Sequence, residues 1–200
     1  MQRGRHSGYD GRMRHPGLLD RQRTAVVVID VQEAYRTVLH GWEEVSAACV
    51  RLVQGATLLG VPLLVTEQYP RGLGHTTPTI AAHLPADVAP IEKMTMSCCG
   101  APSFTERLRA TGRTQILVAG IEAHACVNQT VHDLLAAGYQ VHVPRDATSS
   151  RRAADAVQGW EKMRAAGMLP TTSEQALLEL VVSAEAPEFR ALQRLLKGAS

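Results

Sequence analysis

The sequence predicts an α/β fold, a single three-layer α/β/α domain built on a mainly parallel, doubly wound sheet. Short β-branched apolar runs of strand length alternate with amphipathic segments of helix length, which is typical of βαβ units. The chain has 200 residues, and chains usually divide into several domains only beyond about 250–300 residues. We therefore expect one domain and one sheet.

The first half of the chain predicts two strands, one helix and one long loop. Residues 24–30 form a continuous β-branched run ending in an acid, as a buried parallel strand would. Apolar residues at helical spacing predict a helix over 43–59, which Gly60 ends. A strand over 61–66 follows. The loop 67–79 is rich in Gly, Pro and Thr and is longer than most connections, which suggests a function.

The second half continues the alternation, so consecutive strands should lie parallel with helices on both faces of the sheet. Such sheets bind ligands at the carboxyl ends of their strands, near the point where strand order reverses. The residues to inspect therefore follow the strands directly: Asp30, Glu67, 120–126 and Asp146. The predicted elements are helix 103–111, strand 115–119, helix 126–137, strand 139–143, helix 151–166, strand 168–171, and helices 173–182 and 187–196.

The distribution of charge argues against a nucleic-acid-binding protein. The whole chain has a formal net charge of +2, but residues 1–23 hold six Arg and two Asp, so residues 24–200 have a net charge of −2. A slightly acidic domain lacks the basic surface that phosphate backbones require. Aromatic residues are only 4% of the chain, so base-stacking platforms are also not expected.

The Arg-rich start and the rest of the chain are expected to behave differently. Residues 1–23 have no apolar periodicity, and we expect a disordered tail there, with a targeting peptide as the alternative. Residues 24–197 form the predicted domain. The longest uninterrupted aliphatic stretch is 25–29, against about 20 residues for a membrane helix, so no membrane association is expected.

The cysteines indicate a reducing compartment. The four are Cys49, Cys98, Cys99 and Cys126, too few for a disulfide framework and without a CxxC pair of metal-binding spacing. Free thiols and a cytoplasmic location are the resulting expectations.

Asp30 is the first candidate catalytic residue, because it ends the first predicted strand. As a structural residue it would be a cap or loop acid beside Gln32 and Glu33. As a catalytic residue it needs a partner close by that gives or receives a proton.

Cys126 is the second candidate, since it follows a predicted strand and a short turn and opens a predicted helix. The N–H groups and dipole at a helix start stabilise a thiolate, which would prime a nucleophile. The same N–H groups could hold a developing oxyanion. The alternative is a small buried apolar residue, a common place for a free Cys.

Lys93 stands out because the chain uses 18 Arg and only three Lys. Lys162 and Lys197 lie in predicted surface helices, whereas Lys93 has apolar neighbours. A Lys changes its pKa on burial far more readily than an Arg, which suits proton-transfer chemistry. The alternative is a surface cation paired with Glu92.

Together these residues and their surroundings resemble the isochorismatase-like cysteine hydrolases, in particular the isochorismatase domain-containing proteins of type 2. The resemblance extends over roughly residues 24–197. The run 119–151 is the longest matching stretch. The others are VVVIDVQEAYR at 26–36, LLVTEQYPRGLGHTTP at 63–78, EKMTMS at 92–97 and GMLPTTSEQALLELV at 167–181.

The resemblance implies a Cys–Asp–Lys triad. Asp30 would take the proton of Cys126, Lys93 would orient and tune that pair, and the thiolate would attack a carbonyl to give a covalent intermediate that water hydrolyses. It also implies a non-proline cis peptide bond at Ile121–Glu122. The backbone N–H groups of Glu122 and Cys126 would then form the oxyanion hole.

Several further residues are candidates for the substrate pocket. Gln32 and Tyr35 follow the first strand, Gln68 and Tyr69 follow the second, and all four should reach the same mouth. His124 lies two residues before Cys126 and is either a pocket residue or structural. We expect structural roles for His132 and His142, and a helix-capping role for Asp146.

Two departures from nicotinamidases narrow the expected chemistry. Those enzymes hold a metal through an Asp-x-His arrangement and a further His after the second strand, but this chain has no His there before His75. No catalytic metal and no cofactor are therefore expected. Nicotinamidases also carry Thr-Asp before the nucleophile, where this chain has Ala123 and His124, which argues against nicotinamide as the substrate.

The leading hypothesis is a metal-independent cysteine hydrolase acting on a small amide, imide or ester. Alternatives are a nicotinamidase or ureidoacrylate-type amidohydrolase, or a binding protein that keeps the fold without catalysis. The partners expected are a small-molecule substrate and further copies of the chain, because family members are commonly homo-oligomers.

Overall fold

A seven-stranded, entirely parallel sheet forms the centre of the protein in a computed structural model, which describes residues 14–198. Six strands lie in the order β3-β2-β1-β4-β5-β7, and β6 pairs with the end of β4. The order reverses between β1 and β4, so their carboxyl ends mark the topological switch point. The strands are β1 Thr24–Ile29, β2 Leu63–Gln68, β3 Ile91–Lys93, β4 Gln115–Ile121, β5 Gln140–Pro144, β6 Thr148–Ser149 and β7 Leu169–Thr171.

Helices cover both faces of this sheet and bury a separate apolar core on each. One core lies under α1, α7 and α8, and the other lies under α4, α5 and α6. Alternate residues of β1 point into opposite cores, Val26 and Val28 into the first and Ala25 and Val27 into the second. The helices are α1 Trp42–Leu59, α2 Pro70–Leu73, α3 Pro78–Ala81, α4 Pro102–Ala110, α5 Asn128–Ala136, α6 Ala153–Ala165, α7 Ser173–Val181 and α8 Phe189–Leu196.

The architecture confirms the predicted three-layer α/β/α class, and the differences lie in short elements. Strand β2 begins at Leu63 instead of residue 61, because the N–H of Val61 still bonds to the last turn of α1. The predicted loop 67–79 contains the end of β2 and the one-turn helix α2, and α3 begins at its end with Pro78. Strands β3 and β6 have only three and two residues, too few for a recognisable sequence pattern.

The N-terminal boundary also differs from the prediction, because residues 14–23 pack against the domain. Leu19 is fully buried, and its N–H donates to Glu179 Oε2 at 2.9 Å. The backbone N–H of Asp20 donates to Gln115 Oε1 at 2.8 Å. The expectation of a disordered tail over 1–23 therefore does not hold for residues 14–23, and its remaining part, 1–13, lies outside the described residues.

The close contact of β1 and β4 at the switch point depends on Gly120. Its φ is +110°, and a Cβ at this position would lie 2.1 Å from the carbonyl oxygen of Ile29. Only glycine accommodates both conditions, so it allows the ends of the two strands to approach each other. Within residues 14–198, no helix has the length and apolar character needed to cross a membrane.

Candidate active site

The three predicted catalytic residues come together at the carboxyl ends of three strands. Asp30 directly follows β1, Lys93 is the last residue of β3, and Cys126 lies in the turn after β4. These positions flank the switch point, where doubly wound sheets place their ligands. All three side chains are buried.

Asp30 is held in a fixed position by its backbone and by Thr66. Its φ of 53° lies in the left-handed region, which a non-glycine residue adopts only where its surroundings enforce it. The backbone N–H of Asp30 donates to the carbonyl oxygen of Thr66 at 3.1 Å. The hydroxyl of Thr66 donates to Asp30 Oδ1 at 2.7 Å. One residue of β2 therefore contacts both the main chain and the carboxylate.

Lys93 and Asp30 form a buried ion pair. Lys93 Nζ lies 2.7 Å from Asp30 Oδ2, and the two side chains are 0% and 3% exposed. The ammonium also donates to Gln68 Oε1 at 2.6 Å and to the carbonyl oxygens of Thr95 and Met96 at 3.2 and 3.0 Å. Oxygen atoms therefore surround the charge, as burial of an ammonium requires. The surface pairing of Lys93 with Glu92, the structural alternative, is not found.

Burial and the mutual charges shift the pKa of both groups. Burial raises the pKa of Asp30, and the opposing effects of Lys93 and Thr66 do not cancel the rise. Burial pulls the pKa of Lys93 down, but the negative charge of Asp30 and the neighbouring thiols reverse the direction and hold it above its usual value. The lysine is therefore an ammonium at neutral pH, and the aspartate is a stronger base than an exposed carboxylate.

Cys126 lies in a π-helical turn, Ala123–Val127, which leads directly into α5. Its Sγ lies 3.9 Å from the thioether sulfur of Met96. Burial, followed by the negative charge of Asp30, raises the pKa of Cys126 to about 12, although Lys93 opposes the shift. Burial and the carboxylate of Asp30 therefore oppose the thiolate that the position before a helix led us to expect. The resting side chain is a thiol facing a base.

The turn before Cys126 contains the expected cis peptide bond between Ile121 and Glu122. The carbonyl oxygen of Glu122 accepts hydrogen bonds from the N–H groups of Ala125 and Val127 at 3.0 and 3.2 Å. The oxyanion hole made by the N–H groups of Glu122 and Cys126 stays a prediction.

Two of the predicted pocket residues, Gln32 and Gln68, are buried and make hydrogen bonds within the site. Gln32 is fully buried; its Oε1 accepts from the N–H of Gln68 at 2.8 Å, and its Nε2 donates to the carbonyl oxygens of Gln68 and Gly74. Gln68 in turn accepts from Lys93 and donates through Nε2 to the carbonyl oxygen of Met94 at 3.0 Å. Gln32 therefore holds the backbone at Gln68 and Gly74 in place, and the side chain of Gln68 positions Lys93.

The other three predicted pocket residues differ in their burial and in the groups they contact. Tyr35 is half-buried, and burial raises the pKa of its phenol, which the charges of Glu122, Cys126 and Asp30 raise further. His124 is partly buried, with Nδ1 2.9 Å from the hydroxyl of Ser150. Tyr69 is 46% exposed and packs its ring over Gly72 in α2, and its backbone N–H donates to the carbonyl oxygen of Lys93 at 3.0 Å.

Sequence reasoning did not identify Thr66, Met96 or Arg151 as parts of the site. Thr66 was within reach of such reasoning, because it lies at the end of the second predicted strand, opposite Asp30. Met96 lies in the segment after Lys93, and its contact with Cys126 comes from the tertiary fold. Arg151 donates to the buried carboxylate of Glu122 through both its backbone N–H and its Nε, a pairing that local sequence does not indicate.

Other predicted polar residues have structural partners. Asp146 Oδ1 accepts from the N–H of Ser173 at 2.8 Å, which places it at the start of α7 as a cap. His75 Nδ1 lies 3.0 Å from the buried Glu67 Oε2, and Glu67 Oε1 accepts from the N–H and hydroxyl of Thr76. Among residues 14–198 no three His, Cys, Asp or Glu side chains cluster as metal ligands.

Comparison with known proteins gives consistent matches. The model of the isochorismatase domain matches residues 24–175. Isochorismatase domain-containing protein 2 of Danio rerio is 35% identical over 181 residues, 90% of each chain. Isochorismatase domain-containing protein 1 of Salmo salar is 36% identical over 177 residues, which are 88% of this chain and only 62% of that longer relative. The solved structure of MAR1 ribonuclease from Caenorhabditis elegans has a TM-score of 0.86 at 37% identity and covers 90% of this chain and 92% of its own.

The family model spans most of the domain, and the type 2 relative matches along nearly its whole length. The range 24–175 that the family model matches includes β1 with Asp30, β3 with Lys93 and the turn with Cys126. The chain belongs to the isochorismatase domain family.

Proposed function

We propose that this protein is a cysteine hydrolase that acts on a small amide, imide or ester through Cys126, Asp30 and Lys93. The observation that supports the proposal most strongly is the buried ion pair of Asp30 and Lys93 beside a buried thiol. Such a pair is costly to bury, and it contributes little net stability. A catalytic use is therefore a better reason for its presence.

The first step in this mechanism is the attack of Cys126 on the substrate carbonyl. A new bond forms between Sγ and the carbonyl carbon while the thiol proton moves to Asp30. The high pKa of the thiol means that proton transfer accompanies the attack, because a free thiolate is scarce at neutral pH. The raised pKa of Asp30 makes it a stronger base for this transfer.

The second step releases the leaving group and the third regenerates the thiol. Protonated Asp30 returns its proton to the departing amine or alcohol, and a thioester to Cys126 remains. Water then attacks the thioester, Asp30 takes one proton from that water, and the proton passes to the departing sulfur as the acid product leaves. Lys93 stays an ammonium throughout and keeps Asp30 oriented.

Two alternative functions are tested by the same experiment. The name of the nematode relative refers to a ribonuclease, but residues 24–200 of this chain carry −2, which does not favour an RNA substrate. A non-catalytic binding protein of the same fold is the other alternative. Nicotinamide and ureidoacrylate-type amides belong in the substrate panel with other small amides, imides and esters.

The test compares the wild type with Cys126→Ala and with Cys49→Ala, a matched control at a fully buried cysteine of α1. Turnover of a panel substrate is expected to be lost in Cys126→Ala and kept in Cys49→Ala. Mass spectrometry of the quenched wild-type reaction should find the acyl group on the peptide that contains Cys126. Turnover that persists in Cys126→Ala, or an RNA substrate cleaved without Cys126, contradicts the proposal.

Two further predictions about the protein remain to be tested. We propose that it forms a homo-oligomer, which light scattering of the purified full chain checks directly. The cytoplasmic location, predicted from the free cysteines, is checked by fractionation of the cells that make the protein.

A further inference from the structure

Glu122 carries a second buried charge next to the nucleophile, in addition to Asp30. Its side chain is 7% exposed, and its Oε1 accepts from the backbone N–H of Arg151 at 2.9 Å and from the Arg151 Nε at 3.0 Å. The backbone bond anchors the main chain of Arg151, and the charge-assisted bond from Nε orients its side chain.

The outer edge of the same guanidinium is open. The Arg151 side chain is 60% exposed, and within residues 14–198 its two terminal nitrogens make no hydrogen bond. An arginine held by its inner nitrogen presents its outer N–H groups as a planar fork, which matches the two oxygens of a carboxylate. Little conformational entropy remains to be lost when such a group binds.

Arg151 also lies at the rim of the catalytic site. It follows β6, which pairs with the end of β4. The carboxylate of Glu122 binds Arg151, and the backbone carbonyl oxygen of Glu122 accepts from the N–H groups of Ala125 and Val127, on either side of Cys126. Burial raises the pKa of the half-buried Tyr35, the charges of Glu122, Cys126 and Asp30 raise it further, and the charge of Arg151 opposes them. Arg151 and the thiol therefore share one neighbourhood.

The charges below the thiol do not compete for an anionic ligand. Asp30 and Lys93 neutralise each other at 2.7 Å, and Glu122 occupies only the inner nitrogen of Arg151. Glu122 is only 7% exposed and Arg151 is 60% exposed, so the member of this ion pair that faces the solvent is the cation.

We propose that Arg151 determines specificity and that its guanidinium binds a carboxylate on the substrate. The substrate class is then a small amide or ester that carries a carboxylate away from the bond that is cleaved. This inference rests on the proposed role of Cys126 as nucleophile.

The test uses iodoacetate and iodoacetamide, two alkylating probes of nearly equal size that differ in charge. Their rates at each cysteine are read peptide by peptide in the wild type, Arg151→Gln, Arg151→Lys and Arg152→Gln. Arg152 is the matched control, because it is exposed and adjacent and its side chain makes no hydrogen bond within residues 14–198. Cys99, which is half-buried, is the internal reference.

The iodoacetate-to-iodoacetamide rate ratio at Cys126, divided by that at Cys99, should fall about tenfold or more in Arg151→Gln, the factor expected for loss of a charge-assisted hydrogen bond. This normalised ratio should stay at its wild-type value in Arg152→Gln. In Arg151→Lys it should lie between the values of the wild type and Arg151→Gln. Succinate should protect Cys126 from iodoacetamide in the wild type and not in Arg151→Gln.

Two results would overturn the inference in distinguishable ways. An unchanged ratio in Arg151→Gln, with Cys126 still reacting with iodoacetamide, removes the carboxylate site and leaves the nucleophile in place. If Cys126 reacts with both probes no faster than the buried Cys49, neither the carboxylate site nor the nucleophile is supported. If Arg151→Gln does not fold, the Arg151→Lys ratio decides, since a bidentate site loses preference when the fork is replaced by an ammonium.

Discussion

Replacing Lys93 by methionine removes the positive half of a fully buried ion pair. The two side chains are 0% and 3% exposed and their charged atoms lie 2.7 Å apart. The variant leaves Asp30 as an uncompensated buried charge, which costs about 3–5 kcal/mol of unfolding free energy in comparable pairs. It also leaves the Gln68 Oε1, Thr95 and Met96 oxygens without the donor they share.

The loss of unfolding free energy in Lys93→Met should increase with pH. The Asp30 pKa is already raised by burial, and Lys93 opposes the rise, so it rises further when the ammonium is lost. A carboxyl whose pKa is higher in the folded state destabilises that state once the pH exceeds its unfolded pKa of about 3.9. The variant should therefore lose more stability, relative to wild type, at about pH 8 than at about pH 5.

Urea-induced unfolding of the wild type, Lys93→Met and Lys162→Met at both pH values measures this effect. Lys162 is an exposed lysine of α6, so its replacement should change the unfolding free energy by about 0.5 kcal/mol or less. A loss below about 1 kcal/mol in Lys93→Met, equal at both pH values, would refute the buried ion pair.

Two other substitutions test the charges at Asp30 and His142. Asp30→Asn should lower the pKa of Cys126 from about 12, because it removes a neighbouring negative charge. It should also slow turnover about 10²–10⁴-fold, because the base is lost. The pH dependence of Cys126 alkylation measures the change in pKa, and Asp133→Asn, at an exposed residue, should change neither the pKa nor turnover. His142 is buried without a partner for its Nε2 within residues 14–198, and burial lowers its pKa from 6.5 to about 4. The unfolded chain then binds a proton that the folded chain does not, so about 3 kcal/mol of stability should disappear as the pH falls from 6.5 to about 4. His142→Leu should flatten the plot of unfolding free energy against pH between pH 6.5 and about 4, and His40→Gln, at an exposed residue, should not. Equal slopes for the two variants in this range would contradict the lowered pKa of His142.

The sequence was sufficient to predict the fold and to single out Asp30, Lys93 and Cys126 as a candidate site. Strand β1 is a continuous β-branched run, and such runs are recognisable because both faces are buried. Asp30 and Cys126 follow long strands, so the rule for doubly wound sheets placed both at the same edge. Lys93 was found only because lysine is rare in this chain.

The rest of the site depends on contacts between distant segments. Thr66 reaches Asp30 across 36 positions of sequence, and Met96 reaches Cys126 across 30. The pKa of Cys126 was expected to fall on the basis of its position before a helix. Burial and the negative charge of Asp30, which both depend on the tertiary fold, raise it instead.

The arrangement separates the groups that move protons from the groups a substrate meets first. Asp30, Lys93, Thr66 and Gln68 are all buried, and their polar atoms bind one another. Above them, the thiol of Cys126 lies beside the exposed thioether of Met96 and the half-buried Tyr35, with Arg151 at the rim. In the proposed enzyme, changes in the buried layer should therefore alter kcat and its pH dependence, because they change the base. Changes at the rim should alter KM and the choice of substrate, because the proton path does not include them.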